Sequence, residues 1–196
     1  MHASELEILK DREPGLGTHP IRVVLWLMMV SSTMIFAAYT SAFIVRREEG
    51  NWLEFDLPYS LLYTTLTILV SSAFVQWSYM SARKDELRRV QVGLVITFLL
   101  GLVFLAGQWN VWGELVANKI HFGGGANPSG SFVYLLMGVH AFHLITGLIF
   151  LLVVLRKSFN YQVHSRQLLS IGNVTIYWHF LGGLWLYLYL FLLLNH

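Results

Sequence analysis

Three histidines lie in strongly apolar parts of the sequence, where an imidazole could bind a metal or haem iron. His140 and His143 are three positions apart, so on a helix they share one face, with Gly147 one turn further on. His179 lies in a separate apolar run, in the string Tyr-Trp-His-Phe that begins at Tyr177. Neutral imidazole is a common ligand of haem iron. One histidine from each run could therefore hold a haem between two helices.

A structural role for the same histidines is the interpretation we favour. Polar groups inside a bilayer are costly unless they have partners, and hydrogen bonds between membrane helices contribute about 0.6 kcal/mol each. The apolar runs carry too few histidines and carboxylates for a non-haem di-iron centre. Ser129 lies among turn-forming residues, which disfavours an intramembrane serine nucleophile. Packing is thus expected, and haem ligation by His140 or His143 with His179 stays as the alternative.

The composition indicates a membrane protein. Of the 196 residues 56% are hydrophobic and only 12% charged, against about 25% charged residues in a typical soluble domain. The sequence has no cysteine, which excludes disulfides, thiolate metal sites and cysteine nucleophiles. A formal net charge of +2 gives no reason to expect a nucleic-acid partner.

The apolar runs predict an all-α fold, a bundle of five transmembrane helices. Each run exceeds the roughly 20 residues that a helix needs to cross the hydrocarbon core, and none has an Asp, Glu, Lys or Arg in its interior. Residues 1–22 form an N-terminal arm, and residues 23–196 form the transmembrane domain. The predicted spans are approximately 23–45, 57–80, 90–112, 131–155 and 168–194.

The basic residues predict how the bundle is oriented. Ten Lys and Arg residues lie in the N-terminal arm and in the second and fourth connections, against three on the other side. Because cytoplasmic loops carry the excess of Lys and Arg, we expect a cytoplasmic N-terminal arm and a C-terminus outside. The first run is too long for a signal peptide and continues to Arg46 and Arg47.

Several strings of this sequence resemble subunit III of the haem-copper terminal oxidases, in its five-span form. Residues 130–147 are similar to the family's aromatic run and its Gly-x-His-x-x-His-x-x-x-Gly helix, here Gly138, His140, His143 and Gly147. A second stretch is similar to the closing helix of the family, through Tyr177, Trp178, His179, Phe180 and Trp185. A weaker match ends at Gln108, and the resemblance runs from about residue 20 to the end.

The resemblance implies a non-catalytic subunit of a respiratory oxidase that reduces oxygen to water and pumps protons. Such a chain holds no cofactor; haem and copper belong to partner subunits. It packs against subunit I, stabilises it and supports its proton uptake, and its other partners are subunit II, membrane lipids and, in some cases, a larger respiratory supercomplex. The implied location is the bacterial cytoplasmic (inner) membrane. The matching residues would serve interhelical packing and hydrogen bonding.

Two residues depart from the family's pattern. Many members have a buried glutamate in the first of these spans, where this chain has Ser32, and an aspartate in the closing helix, where it has Gly182. A role that depends on either carboxylate is not carried over. Two alternatives to the accessory subunit stay open: a haem b-binding membrane anchor that carries electrons, and a small transporter.

Overall fold

The computed structural model describes residues 20–50, 58–118, 120, 128–160 and 168–195. These residues form five α-helices and no strand. All five helices are long and apolar enough to cross a membrane. The helices are α1 (Pro20–Glu48), α2 (Ser60–Ala82), α3 (Leu87–Ala117), α4 (Pro128–Phe159) and α5 (Leu169–Asn195).

This architecture confirms the predicted all-α fold with five spans. Most helices extend a few residues beyond the predicted apolar runs, because hydropathy marks the hydrocarbon part and a helix continues into the interface. Arg46 and Arg47 close α1 in its last turn, where positive charge interacts favourably with the helix dipole. The orientation of the termini stays a prediction. Residues 1–19 of the predicted arm lie outside the described residues.

The helices pack as a four-helix bundle with a fifth helix against one side. Each of α2, α3, α4 and α5 contacts two neighbours in a closed ring, and α1 packs against α4 and α5. The ring is closest between α2 and α3, which a short connection joins. Trp178 of α5 reaches across the bundle to the backbone of α3 at Gly101. The interior is therefore filled by side chains from opposite helices.

Two glycines of α3 allow the close approach of α2. An added Cβ at Gly93 would lie 2.9 Å from Cβ of Ser78, and one at Gly107 would lie 2.5 Å from Cγ2 of Thr64. Real Cβ atoms do not approach so closely, so only glycine fits at this helix spacing. The close packing expected of these small residues in a membrane helix is present.

The outer surface of the bundle carries large apolar side chains. Exposed examples occur on all five helices, among them Leu27, Tyr63, Leu99, Ile149 and Leu194. An exterior so rich in large apolar side chains is unsuited to water and suited to lipid. The chain is a multi-pass membrane protein.

Candidate functional site

His140 lies at the centre of an aromatic cluster that joins four helices. The imidazole is fully buried. Its centroid is 4.9 Å from Trp185 of α5, 5.9 Å from Phe104 of α3 and 6.4 Å from Phe36 of α1. Neither ring nitrogen has a hydrogen-bond partner among the described residues. The contacts of this histidine with other helices are therefore ring contacts, and its expected hydrogen bonding stays a prediction.

His143, one turn away, uses its imidazole within its own helix. Its Nδ1 donates to the carbonyl oxygen of Val139 at 2.8 Å, and its ring packs 5.7 Å from Phe36 of α1. The link to α5 runs through a neighbouring pair, because the hydroxyls of Thr146 and Tyr177 lie 2.9 Å apart. His143 thus contributes packing against α1, while Tyr177 connects α5 to α4.

Two tryptophans of α5 bind α2 through their indole nitrogens. Trp178 Nε1 donates to Ser71 Oγ at 2.9 Å, and Trp185 Nε1 donates to Thr65 Oγ1 at 3.0 Å. The two residues are seven positions apart, or about two turns, so they share one face. Each hydroxyl also donates to a carbonyl of α2, so it both accepts and donates in the buried interior.

Gln108 forms a similar polar contact between α3 and α2. The side chain is buried, and its Nε2 donates to Thr64 Oγ1 at 3.2 Å. Thr64 Oγ1 in turn donates to the carbonyl oxygen of Leu61 at 2.9 Å. Gln108 therefore joins two helices inside the bundle.

The glycines of the histidine helix differ in how tightly they are packed. An added Cβ at Gly147 would lie 2.7 Å from Cδ1 of Leu181, whereas one at Gly138 would lie 3.9 Å from Cζ2 of Trp112. A side chain at Gly147 would thus require the end of Leu181 to move, whereas one at Gly138 would not displace a neighbour. Gly138 lies beside an open groove of about 400 Å³ at the surface.

His179 lies apart from the His140 cluster. It is exposed on the outer surface, and its Nε2 is 3.1 Å from Gln76 Oε1 of α2. His140 instead contacts Trp185, which is six residues further along α5, or about 9 Å along the helix axis. The adjacent Phe180 stacks on Tyr177 at 6.4 Å. The structure does not bring His140 and His179 together.

No group of three or more His, Cys, Asp or Glu residues that could hold a metal occurs within the described ranges. What the described site offers chemically is ring packing and hydrogen bonding between helices. The sequence did not single out several of the partners, namely Phe36, Gln76 and Thr65, whereas Phe104 begins the weaker match that ends at Gln108. Serine and threonine at helical spacing in the second span were a signal for hydroxyl acceptors, but the tryptophans that use them cannot be paired from spacing alone.

These contacts define a helical membrane protein whose polar and aromatic residues hold its helices to one another. The family model "Cytochrome c oxidase subunit III" matches residues 16–195. The chain belongs to the cytochrome c oxidase subunit III family, which places it among the haem-copper oxidases of the respiratory chain.

Curated relatives agree with this assignment. The chain is 28% identical over 180 residues to cytochrome bo(3) ubiquinol oxidase subunit 3 of Buchnera aphidicola, covering 87% of this chain and 92% of the relative. It is 27% identical over 185 residues to cytochrome c oxidase subunit 3 of Thermostichus vulcanus, covering 87% and 86%. It is 30% identical over 179 residues to a probable cytochrome c oxidase subunit 3 of Mycobacterium tuberculosis, covering 86% and 84%.

Proposed function

We propose that this chain is the non-catalytic subunit III of a respiratory haem-copper oxidase, where it stabilises subunit I and supports its proton uptake. The family match over residues 16–195 carries the proposal. In this proposal oxygen reduction and proton pumping take place in the complex, at haem and copper centres held by partner subunits. Subunit I is the direct packing partner, and subunit II and membrane lipids are the further partners.

The contacts inside the bundle support a structural role for the matched residues. Trp178 and Trp185 donate to hydroxyls of α2, and Tyr177 meets Thr146 of α4. His140 fills the space among Trp185 and the phenylalanines. We propose that these residues hold a rigid surface for the catalytic subunit and take no part in electron transfer.

The proposed setting is the bacterial cytoplasmic (inner) membrane, with the N-terminal arm in the cytoplasm and the C-terminus outside. The excess of Lys and Arg in the arm and in the second and fourth connections supports this orientation. The relatives include subunits of a ubiquinol oxidase and of cytochrome c oxidases. Relatives of both donor classes are expected if the electron donor binds to other subunits.

Affinity purification of the tagged chain from its native membrane, in a mild detergent, tests the proposal. We expect a haem-containing subunit to be recovered with the chain at a fixed ratio, together with the haem and copper of that complex. The separated chain should show no Soret band. Recovery of the chain without any haem-containing partner would contradict the proposal, and a Soret band in the separated chain would support the haem anchor instead.

The substitution His140→Leu gives a sharper test of the structural role. Leucine removes a buried imidazole whose nitrogens lack partners among the described residues, and removal of an unsatisfied buried polar group costs little. We therefore expect the haem absorption spectrum of the assembled oxidase to be unchanged. Phe142→Leu, at an exposed neighbouring position, is the matched control. A Soret band that shifts at unchanged subunit content with His140→Leu, and not with Phe142→Leu, would support ligation of haem by the imidazole.

A further inference from the structure

A pair of polar side chains lies on the outer surface of the bundle, at the seam of α2 and α5. His179 and Gln76 are both exposed, and they bond to each other at 3.1 Å. His179 is ten residues from the start of α5, or about 15 Å, and Gln76 is six residues from the end of α2, or about 9 Å. Both therefore lie at a depth that hydrocarbon would occupy in a bilayer.

The bond between the two side chains leaves further polar atoms without partners. Because Gln76 Oε1 can only accept, His179 Nε2 carries the proton, and Nδ1 of the same ring is an acceptor. Within the described ranges that nitrogen and the amide protons of Gln76 have no hydrogen-bond partner. Lipid tails cannot supply one, and an unmade hydrogen bond in an apolar medium costs several kcal/mol. The surface is thus poorly suited to lipid.

The residues beside the pair leave room for another helix. Ala73 lies one turn from Gln76 and is exposed, and Gly183 lies one turn from His179 with open space around an added Cβ. Beneath them α2 and α5 are close, because a Cβ at Gly182 would lie 3.0 Å from Ser72 Oγ. Small residues on a membrane helix allow a neighbouring backbone to approach closely.

A second surface groove provides a contrast. The groove of about 480 Å³ between α1 and α5 is lined almost entirely by apolar side chains, among them Trp26, Met34, Ile176 and Phe180. Thr33, its one hydroxyl side chain, donates to the carbonyl oxygen of Met29 in its own helix. Lipid tails can cover most of such a groove at little cost. The pair at the seam of α2 and α5, in contrast, has several polar atoms for which lipid tails offer no hydrogen-bond partner.

We propose that Ala73, Gln76, His179 and Gly183 form the α2/α5 docking surface, which binds a transmembrane helix of another oxidase subunit. That helix carries an amide or carboxyl side chain at the depth of the pair. Its carbonyl oxygen accepts from the Gln76 amide, and its own N–H or O–H donates to His179 Nδ1. The assignment of the partner to an oxidase rests on the proposed function, whereas the position of the surface does not.

The first test blocks the surface without disturbing the chain itself. In Gly183→Leu the new side chain extends into open space, so we expect the isolated chain to be produced at an unchanged level. The amount of catalytic subunit recovered with it should fall by about tenfold. Gly113→Leu is the matched control. Gly113 also has open space around an added Cβ, but it lies near the C-terminal end of α3, which is not part of the α2/α5 docking surface. If both variants recovered equal amounts of the catalytic subunit, the proposed docking surface would be wrong.

The second test separates the polar pair from the shape of the surface. Gln76→Leu removes the amide donors and leaves His179 without its partner, and we expect recovery of the catalytic subunit to fall several-fold. Gln76→Asn, which keeps an amide, should recover part of this loss. Full recovery with Gln76→Leu would show that the pair has no part in docking.

Photo-crosslinking identifies what covers the surface. A photoreactive residue at Ala73 should give a product with a different oxidase subunit, and one at Val103, exposed on α3, should not. Products with lipid only, or with a second copy of this chain, would overturn the proposal. If the unsubstituted chain recovers no haem-containing subunit, the proposed function fails. A crosslink from Ala73 to another membrane protein would then still support the docking surface.

Discussion

Replacing Gly101 of α3 with leucine is expected to destabilise the bundle strongly. A Cβ at Gly101 would lie 2.8 Å from Leu148 Cδ2 and 2.9 Å from Trp178 Cη2. Leu148 ends in a flexible chain, but the indole of Trp178 is rigid, buried and bonded to Ser71. Overpacking of a filled interior costs about 1–3 kcal/mol and sometimes more. We expect the upper end of this range or beyond, because α5 must move away from α3.

The midpoint of thermal denaturation of the purified chain in detergent measures this effect. Gly101→Ala should cause a smaller loss, since it adds a single methyl group and since alanine favours a helix over glycine by about 1 kcal/mol. Gly113→Ala, with open space around its Cβ, should leave the midpoint unchanged or raise it. A midpoint for Gly101→Leu equal to that of the unsubstituted chain would contradict the observed contact of α3 with Trp178.

The spans were predictable because each depends only on a continuous stretch of the sequence. A run of apolar residues long enough to cross a bilayer specifies a helix without knowledge of its neighbours. The ends were less well predicted: α3 continues to Ala117, five residues past the predicted end at Trp112, and includes Glu114. The hydropathy of the sequence indicates where the chain leaves the hydrocarbon core. The helix itself continues as long as its backbone hydrogen bonds do.

The partners of the site residues were not predictable, because they depend on how the helices are arranged. The spacing of His140 and His143 indicated one helix face, but it did not show that Phe36 would pack against both rings. From the sequence, His179 could have faced His140 across two helices. In the structure its partner is instead Gln76 on the outer surface. Rotation and depth of each helix decide such pairs, and a single sequence specifies neither.

The second large effect is expected at Trp185, the residue that connects the histidine cluster to α2. Trp185→Ala should lower the free energy of unfolding by about 3–5 kcal/mol, the usual cost of removing a buried tryptophan. The side chain is 1% exposed, and its ring lies 5.0 Å from Phe104 and 4.9 Å from His140. Its loss leaves a cavity beside an imidazole that lacks hydrogen-bond partners within the described residues.

Denaturant titration of the purified chain in mixed micelles measures this loss, and two variants divide it into parts. Trp185→Phe keeps an aromatic ring but removes the hydrogen bond to Thr65, whose hydroxyl still donates to the Leu61 carbonyl. The loss of this hydrogen bond should lower the free energy of unfolding by about 1 kcal/mol. Trp109→Ala, at a position 72% exposed, should change little because no interior space opens. If Trp185→Ala were as mild as Trp109→Ala, the cluster would not hold α5 in the bundle. Trp185→Ala also disrupts the packing around His140, so it should reduce the amount of catalytic subunit recovered with the chain. His140→Leu differs in that the haem spectrum of the assembled oxidase should stay unchanged.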